Sequence, residues 1–251
     1  MKFTSMAHRG DPGNAPENTI PSFKLAIATG VESCEFDVYS TKDGVLVLSH
    51  DPDFTRATEG KCKEKVNNLT WDVVKTLDVG RPSKWNGKYK GTPVPTLDET
   101  LDLFKDSGCI PVIELKQGGI EEKVVAALKK RNMIRQCCIV SFNSKALRKM
   151  VELAPDIYVI RNGGNRKDMS DDQYVQWFAD SFEDGEFKVA NPHYSQLNEN
   201  TVKKLHEAGF RVGAWVINDE KTLHQYLDWG VNSITTDKPA LLVKVLKERK
   251  K

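Results

Sequence analysis

Three carboxylates stand near the ends of two short apolar runs in the sequence. Glu35 and Asp37 are two residues apart in one run, and Glu114 lies near the end of another. In an extended strand, residues two apart point to the same face, so Glu35 and Asp37 would share one surface. Carboxylates held close together repel each other unless a cation neutralises them, and oxygen ligands suit Mg²⁺, Ca²⁺ or Mn²⁺. The alternative is a structural ion-pair network with Arg9 and Lys116.

Two histidines, two basic residues and one tryptophan complete the set of side chains that could do chemistry. His8 and His50 could exchange protons as an acid and a base, since imidazole titrates near neutral pH, although either could be a hydrogen-bonded structural histidine. Arg9 and Lys116 could hold an anionic, phosphate-like group, although single basic residues are usually solvated. Trp215 could line a pocket or fill the interior, because aromatic residues serve both purposes.

The residues that follow the first of these motifs have a structural interpretation. Asn18 is predicted to cap the next helix, with Pro21 in its first turn. The role of Glu17 stays open. His193, which follows a later strand, is kept as a minor candidate for the pocket.

The elements that must position these residues alternate between strand and helix patterns. Eight runs are predicted as strands, at residues 3–7, 31–37, 110–115, 137–141, 157–160, 187–190, 211–216 and 233–236. Helical spacing of apolar residues lies between them, at residues 120–131, 201–207, 223–229 and 241–247. Eight strands that are each followed by a helix predict a TIM (β/α)₈ barrel. A doubly wound open sheet shares the alternation, but it usually carries a glycine-rich phosphate turn of GxGxxG spacing, and that spacing is missing after the first strand.

The candidate residues fall near the carboxyl ends of the predicted strands, which is the face where TIM barrels carry their active sites. One segment departs from the repeat. Residues 45–50 read as a further short strand, and about 51–95 are polar and rich in Lys, Gly and Pro, with one helical piece near 70–77. We therefore predict a single domain over residues 1–251, with a small cap inserted at about 51–95 after the second strand.

Composition excludes several classes of protein. The 251 residues include 37 Lys and Arg against 35 Asp and Glu, a net charge of +2, which argues against a generic nucleic-acid binder. No apolar run approaches the roughly 18 residues of a membrane helix, and the first residues lack the apolar core of a signal peptide. The 5 cysteines form no CxxC pair, so a disulfide scaffold is not expected. A cytoplasmic protein without stable membrane insertion is predicted, and the oligomeric state is left open.

A series of motifs resembles the glycerophosphodiester phosphodiesterase family, in the order that the family has them. The resemblance covers about residues 7–239 and rests on HRGDPGNAPENT, EFD, TKDG, VLSHD, PTL, ELK, WVIN and ITTDKP. It implies a TIM barrel with an inserted subdomain. It also implies hydrolysis of glycerophosphodiesters, such as glycerophosphocholine or glycerophosphoethanolamine, to glycerol 3-phosphate and an alcohol.

The resemblance also implies a role for each candidate residue. By this resemblance, one divalent cation, Mg²⁺ or Ca²⁺, would be held by three carboxylates, Glu35, Asp37 and Glu114. The acid–base pair would be His8 and His50. Arg9 and Lys116 would contact the phosphate, and Trp215 would line the substrate pocket.

Three other functions fit the sequence less well. A lysophospholipase D-type phosphodiesterase would keep the chemistry, but it would favour an apolar rim on the insertion, whereas residues 61–65 are polar. A catalytically silent TIM-barrel binding protein would have lost a ligand or a histidine, and none is missing. An aldolase or enolase type of metal enzyme would need an inward lysine or a base for carbon chemistry, for which Lys116 is the one candidate.

Overall fold

The computed structural model describes residues 4–182 and 188–250. Within these residues nine strands form: β1 Ser5–His8, β2 Ser33–Ser40, β3 Leu46–Leu48, β4 Ile110–Leu115, β5 Cys138–Ser141, β6 Tyr158–Gly163, β7 Val189–Pro192, β8 Arg211–Ala214 and β9 Ser233–Thr236. The same residues form nine α-helices: α1 Ile20–Ala28, α2 Trp71–Val74, α3 Leu97–Phe104, α4 Glu121–Lys130, α5 Ser144–Leu153, α6 Asp171–Ala179, α7 Glu199–Glu207, α8 Glu220–Asp228 and α9 Pro239–Glu248.

Eight of the strands close into a parallel barrel. The order runs β1-β9-β8-β7-β6-β5-β4-β2, and pairing of β1 with β2 completes the ring. The ninth strand, β3, is antiparallel to β2 and lies outside the parallel set. Each barrel strand is followed along the chain by a helix, and β2 reaches its helix, α3, only after β3 and the insertion. The predicted TIM barrel is confirmed.

Alternation along the strands separates an apolar outer layer from the barrel interior. In β2, Phe36 and Val38 pack in the cluster beneath the helices, so Glu35 and Asp37 point to the interior. Parallel pairing sets His8 beside Glu35 and Asp37 beside Glu114. Because all parallel strands end at the same face, the same alternation that builds the core gathers these polar residues at one end of the barrel.

Several strand boundaries differ from the sequence prediction, such as the end of β6 at Gly163 and of β7 at Pro192, and two of the differences have a clear local reason. β2 runs on to Ser40, because Val38–Ser40 pair with β3 in a hairpin. β8 ends at Ala214, and Trp215 beyond it makes only an isolated bridge to His193. The predicted positions at residues 3 and 187 lie outside the described residues.

The inserted segment after β3 builds a small apolar cluster together with β3. Its members are Val47, Phe54, Val66, Val74, Val79 and Val94. The helix that was predicted near residues 70–77 is shorter, because Thr76 and Leu77 bond three residues back instead of four. Among the helices that the structure describes, none is both long and apolar enough to cross a membrane.

Candidate active site

A pocket of about 120 Å³ opens at the carboxyl ends of the barrel strands. Seven of the eight residues predicted for the site line it, namely His8, Arg9, Glu35, His50, Glu114, Lys116 and Trp215. The eighth, Asp37, is fully buried beneath them and contacts the two basic residues. The fold therefore brings together the whole set of residues that the sequence singled out.

Three buried carboxylates form the floor of this pocket. Glu35, Asp37 and Glu114 each offer an oxygen, and these three oxygens lie within 4.8 Å of one another. Among the described residues, Oε1 of Glu35 and Oδ1 of Asp37 find no hydrogen-bond donor of suitable geometry. Burial, reinforced by the neighbouring charge of Asp37, raises the pKa of both Glu35 and Glu114. The cluster holds more negative charge than its hydrogen bonds satisfy.

Two basic side chains partly neutralise these carboxylates. Nε of Arg9 lies 3.1 Å from Oδ2 of Asp37. Nζ of Lys116 lies 2.9 Å from Oε1 of Glu114 and 3.4 Å from Oδ1 of Asp37. Burial disfavours the charge on Lys116, but the two carboxylates outweigh burial and raise the pKa of this amine. The ion pairs of the alternative interpretation thus exist, and they leave the orphaned oxygens of Glu35 and Asp37 unsatisfied.

His8 is oriented by an aspartate that is itself fixed. Nδ1 of His8 lies 2.7 Å from Oδ1 of Asp237. Oδ2 of that aspartate accepts a hydrogen bond from Asn218, whose own Oδ1 accepts one from the Asp237 amide. Burial opposes ionisation of Asp237, yet the bond to His8 holds the pKa of the carboxyl below its usual value. Because Nδ1 is engaged, Nε2 is the nitrogen that His8 offers to the pocket.

His50 enters the pocket from the loop that follows β3. Its Nδ1 lies 2.7 Å from Oδ1 of Asp51. Burial lowers the pKa of His50, so its ring is neutral at pH 7. The two histidines thus share one arrangement, a ring whose Nδ1 is held by a carboxylate.

An aromatic wall closes one side of the pocket. The Trp215 indole donates from Nε1 to the carbonyl oxygen of Asn191 at 2.8 Å. Phe142 packs edge-on against this indole at 5.7 Å between ring centroids, and it is 43% exposed. The His193 ring also packs edge-on against this indole, at 5.0 Å between ring centroids. It stays outside the pocket lining, with Nδ1 bonded to Ser195.

Sequence reasoning missed two asparagines of the pocket. Asn162 and Asn191 are the next-to-last residues of β6 and β7. Nδ2 of Asn162 lies 3.4 Å from Oε2 of Glu114, and its Oδ1 accepts a hydrogen bond from Asn191 at 2.7 Å. Gly213 makes room for this pair, because a Cβ there would collide with Asn191. The signal was present, since both asparagines are polar residues at strand ends, which is the same rule that found the carboxylates.

The prediction that Asn18 caps α1 is wrong. Thr19 caps that helix by accepting a hydrogen bond from Ser22, and Pro21 lies in the first turn as predicted. The Asn18 side chain instead donates to Oδ2 of Asp37 at 2.8 Å and accepts from the Asp37 amide at 3.2 Å. Asn and Thr are both good caps, and the sequence does not show that the first of the two is drawn to a buried carboxylate.

Comparisons with known proteins agree with this geometry. A profile of the glycerophosphoryl diester phosphodiesterase family matches residues 8–241. A glycerophosphodiester phosphodiesterase of Caldanaerobacter subterraneus is 31% identical, over 99% of this chain and 99% of its own length. One from Bacillus subtilis is also 31% identical, over 98% of this chain and 87% of its own.

Solved structures resemble the chain over nearly its whole length. A phosphodiesterase of Oleispira antarctica, in complex with the product sn-glycerol-3-phosphate, superposes with a TM-score of 0.82 at 27% identity, covering 97% of this chain and 96% of that one. A glycerophosphodiester phosphodiesterase of Agrobacterium tumefaciens gives 0.79 at 25% identity, covering 97% and 100%.

The fold and the pocket define a TIM-barrel enzyme whose site is built from carboxylates, basic residues and histidines at the strand ends. The chain belongs to the glycerophosphoryl diester phosphodiesterase family. Its activity is accordingly that of a glycerophosphodiester phosphodiesterase.

Proposed function

We propose that the protein hydrolyses small glycerophosphodiesters, such as glycerophosphocholine and glycerophosphoethanolamine, to glycerol 3-phosphate and the free alcohol. One observation carries the proposal. Two histidines, each held at Nδ1 by an aspartate at 2.7 Å, line the same pocket as the carboxylate cluster and two basic side chains. Acid–base groups beside basic side chains and a cluster that can hold a cation are what cleavage of a phosphodiester requires.

A divalent cation fits the carboxylate cluster. Glu35, Asp37 and Glu114 would hold it, because they are all-oxygen ligands and two of their buried oxygens lack a donor among the described residues. Mg²⁺ or Ca²⁺ is the expected ion, with Mn²⁺ as a further candidate. When bound, such an ion polarises a phosphoryl oxygen and stabilises the charge that grows there.

The basic residues supply the remaining positive charge around the phosphate. Arg9 and Lys116 each keep N–H groups beyond those that face the carboxylates, and both line the pocket. Trp215 closes the wall against which the substrate rests. One of the two histidines takes the proton of the nucleophile, and the other gives a proton to the departing alcohol oxygen. These assignments follow the resemblance residue by residue.

The inserted segment at about 51–95 is proposed to act as a cap on a single barrel domain over residues 1–251. Its apolar cluster supports this view, since Val47 of β3 packs with Phe54 and Val79 of the segment. The cap lies next to His50, which is contributed by the loop at its start.

The test is release of glycerol 3-phosphate from glycerophosphocholine and glycerophosphoethanolamine, with Mg²⁺ or Ca²⁺ and with EDTA. The His50→Ala variant is run beside the wild type, and His224→Ala on α8, outside the pocket, is the matched control. We expect EDTA to abolish release and His50→Ala to lower kcat by about 10² or more. Normal activity of His50→Ala would remove His50 from the mechanism. Cleavage of lysophospholipids in place of both diesters would favour the lysophospholipase D function.

A further inference from the structure

A single guanidinium joins the inserted segment to the loop between β1 and α1. Nε of Arg56 lies 2.6 Å from Oδ2 of Asp51, the aspartate that holds His50. The other end of the same guanidinium donates from Nη1 and Nη2 to the two carboxylate oxygens of Glu17, both at 2.9 Å. Arg56 therefore grips two carboxylates from different parts of the chain at the same time.

The connection continues from Glu17 into the floor of the pocket. Oε1 of Glu17 also accepts from Nη1 of Arg9 at 3.0 Å, and Arg9 in turn contacts Asp37. A continuous series of charged contacts thus runs from the ring of His50 to the carboxylate cluster, and its last link, between Arg9 and Asp37, is an ion pair without hydrogen-bond geometry. Every link is 3.1 Å or shorter.

Ion pairs at a protein surface usually contribute little, so the geometry here must be judged on its details. A planar guanidinium that forms a two-pronged contact with one carboxylate and a third bond to another fixes the relative position of both. The Glu17 side chain is 21% exposed, and Arg56 is 39% exposed, so solvent screens these bonds only in part and they can orient both carboxylates. His50 is the residue whose orientation depends most on such support, since it lies on a loop and its side chain is 33% exposed.

We propose, on the basis of the function proposed above, that Arg56 is a positioning residue for His50. It holds the Asp51 carboxylate at the angle that aims the His50 ring into the pocket, and it takes its own position from Glu17. Arg56 does not touch the reacting atoms; it acts through Asp51 and His50. The catalytic pocket is thereby completed by a residue that lies outside its lining.

The test is a double-mutant cycle between Arg56→Gln and His50→Ala, measured as kcat and KM for glycerophosphocholine. In the wild-type background we expect Arg56→Gln to lower kcat by about 10- to 100-fold, as is common when a supporting partner of a site residue is removed. KM should change by less than about threefold, because phosphate contacts are left in place. In the His50→Ala background the same substitution should have almost no further effect, because the residue through which it acts is gone.

The matched control is Arg131, which bridges two carboxylates at similar distances, 2.6 Å to Asp98 and 2.6 Å to Asp102, between α3 and α4. Arg131→Gln should leave kcat unchanged. If Arg56→Gln does not fold, Arg56→Lys replaces it: one ammonium cannot form all three bonds, so an intermediate kcat is expected.

Two outcomes would overturn the proposal while leaving the proposed function standing. One is a wild-type kcat in Arg56→Gln when His50→Ala is inactive. The other is an equal loss from Arg56→Gln in both backgrounds, which would mean that Arg56 acts independently of His50. Full activity of His50→Ala itself would instead contradict the proposed function.

Glu17→Gln tests whether the contact of Glu17 with Arg9 has an effect of its own, apart from its contact with Arg56. This carboxylate holds both Arg56 and Arg9, whereas Arg56, among the residues that the structure describes, bonds to Asp51 and Glu17 alone. We expect Glu17→Gln to raise KM as well as lower kcat, unlike Arg56→Gln. Identical kinetic patterns for the two variants would contradict the role assigned to Arg56.

Discussion

Each histidine of the pocket is held by an aspartate, but the two aspartates are supported differently. Asp237, which directly follows β9, is fixed by Asn218 from the loop after β8. Asp51 is held by Arg56, from the inserted segment. The orientation of His8 is therefore a property of the barrel, whereas the orientation of His50 depends on the insertion. The role proposed for Arg56 therefore predicts that its substitution reaches the chemistry through His50.

Removal of one carboxylate tests the metal site without an activity assay. Glu35→Gln keeps the size of the side chain but takes one carboxylate from the three proposed ligands, which each offer an oxygen within 4.8 Å of the others. We expect the affinity for Mg²⁺ or Ca²⁺ to fall at least about tenfold, roughly 1.4 kcal/mol, in isothermal titration calorimetry. Glu122→Gln on the exposed face of α4 should bind the ion as the wild type does. Unchanged affinity in Glu35→Gln would place the ion elsewhere.

At the scale of elements, the strands explain why so much of the site was visible in the sequence. Glu35, Asp37 and Glu114 lie on strands whose period of two residues decides which way they point, and parallel pairing decides that their ends meet. Arg56 and Glu17 lie on loops, where no period relates residues that are 39 positions apart. Their contact depends on how the insertion folds back onto the barrel, so the local sequence gave no sign of it. The contact of Asn18 with Asp37 was not predicted for the same reason.

The inserted segment should respond to damage in its own apolar cluster before the barrel does. Phe54 is 1% exposed in that cluster, and a Phe→Ala change in a core typically costs about 3–5 kcal/mol. We expect Phe54→Ala to increase amide hydrogen exchange in residues 51–95 and to lower kcat, while the barrel strands keep their protection. Phe178→Ala, in the layer between α6 and the barrel, is the comparison and should lower protection in the strands as well. Equal loss of protection everywhere in Phe54→Ala would contradict a separate cap.

At the scale of the whole molecule, closure of the ring decides the fold. The number and alternation of predicted strands and helices led to the barrel, and pairing of β1 with β2 is the contact that separates it from an open sheet of the same elements. That contact joins Met6 to Ser33 and His8 to Glu35. The strand that carries one histidine thus lies beside the strand that carries two of the carboxylates. Closure of the ring therefore also brings His8 beside the carboxylates.

Ion pairs at the mouth of the barrel should make the free energy of unfolding of the whole protein fall at low pH. The bonds from Arg56 and the charge of Arg9 overcome burial and lower the pKa of Glu17 from 4.5 to about 2. A carboxyl with a lowered pKa in the folded state adds stability above its unfolded pKa, and this stability is lost as the pH falls toward the folded pKa. The shift corresponds to about 3 kcal/mol at pH 7.

The measurement is urea unfolding of the wild type and of Glu17→Gln between pH 7 and pH 3, in EDTA so that metal binding does not contribute. We expect the difference in the free energy of unfolding to be largest at pH 7 and to shrink to about half or less at pH 3, because below pH 4.5 the unfolded state takes up a proton at Glu17 that the folded state does not. Glu122→Gln provides the control for a glutamate without such ion pairs among the described residues. A difference that stays constant with pH would show that Glu17 stabilises the fold by packing, because an ionised carboxylate would then contribute no more than a neutral one.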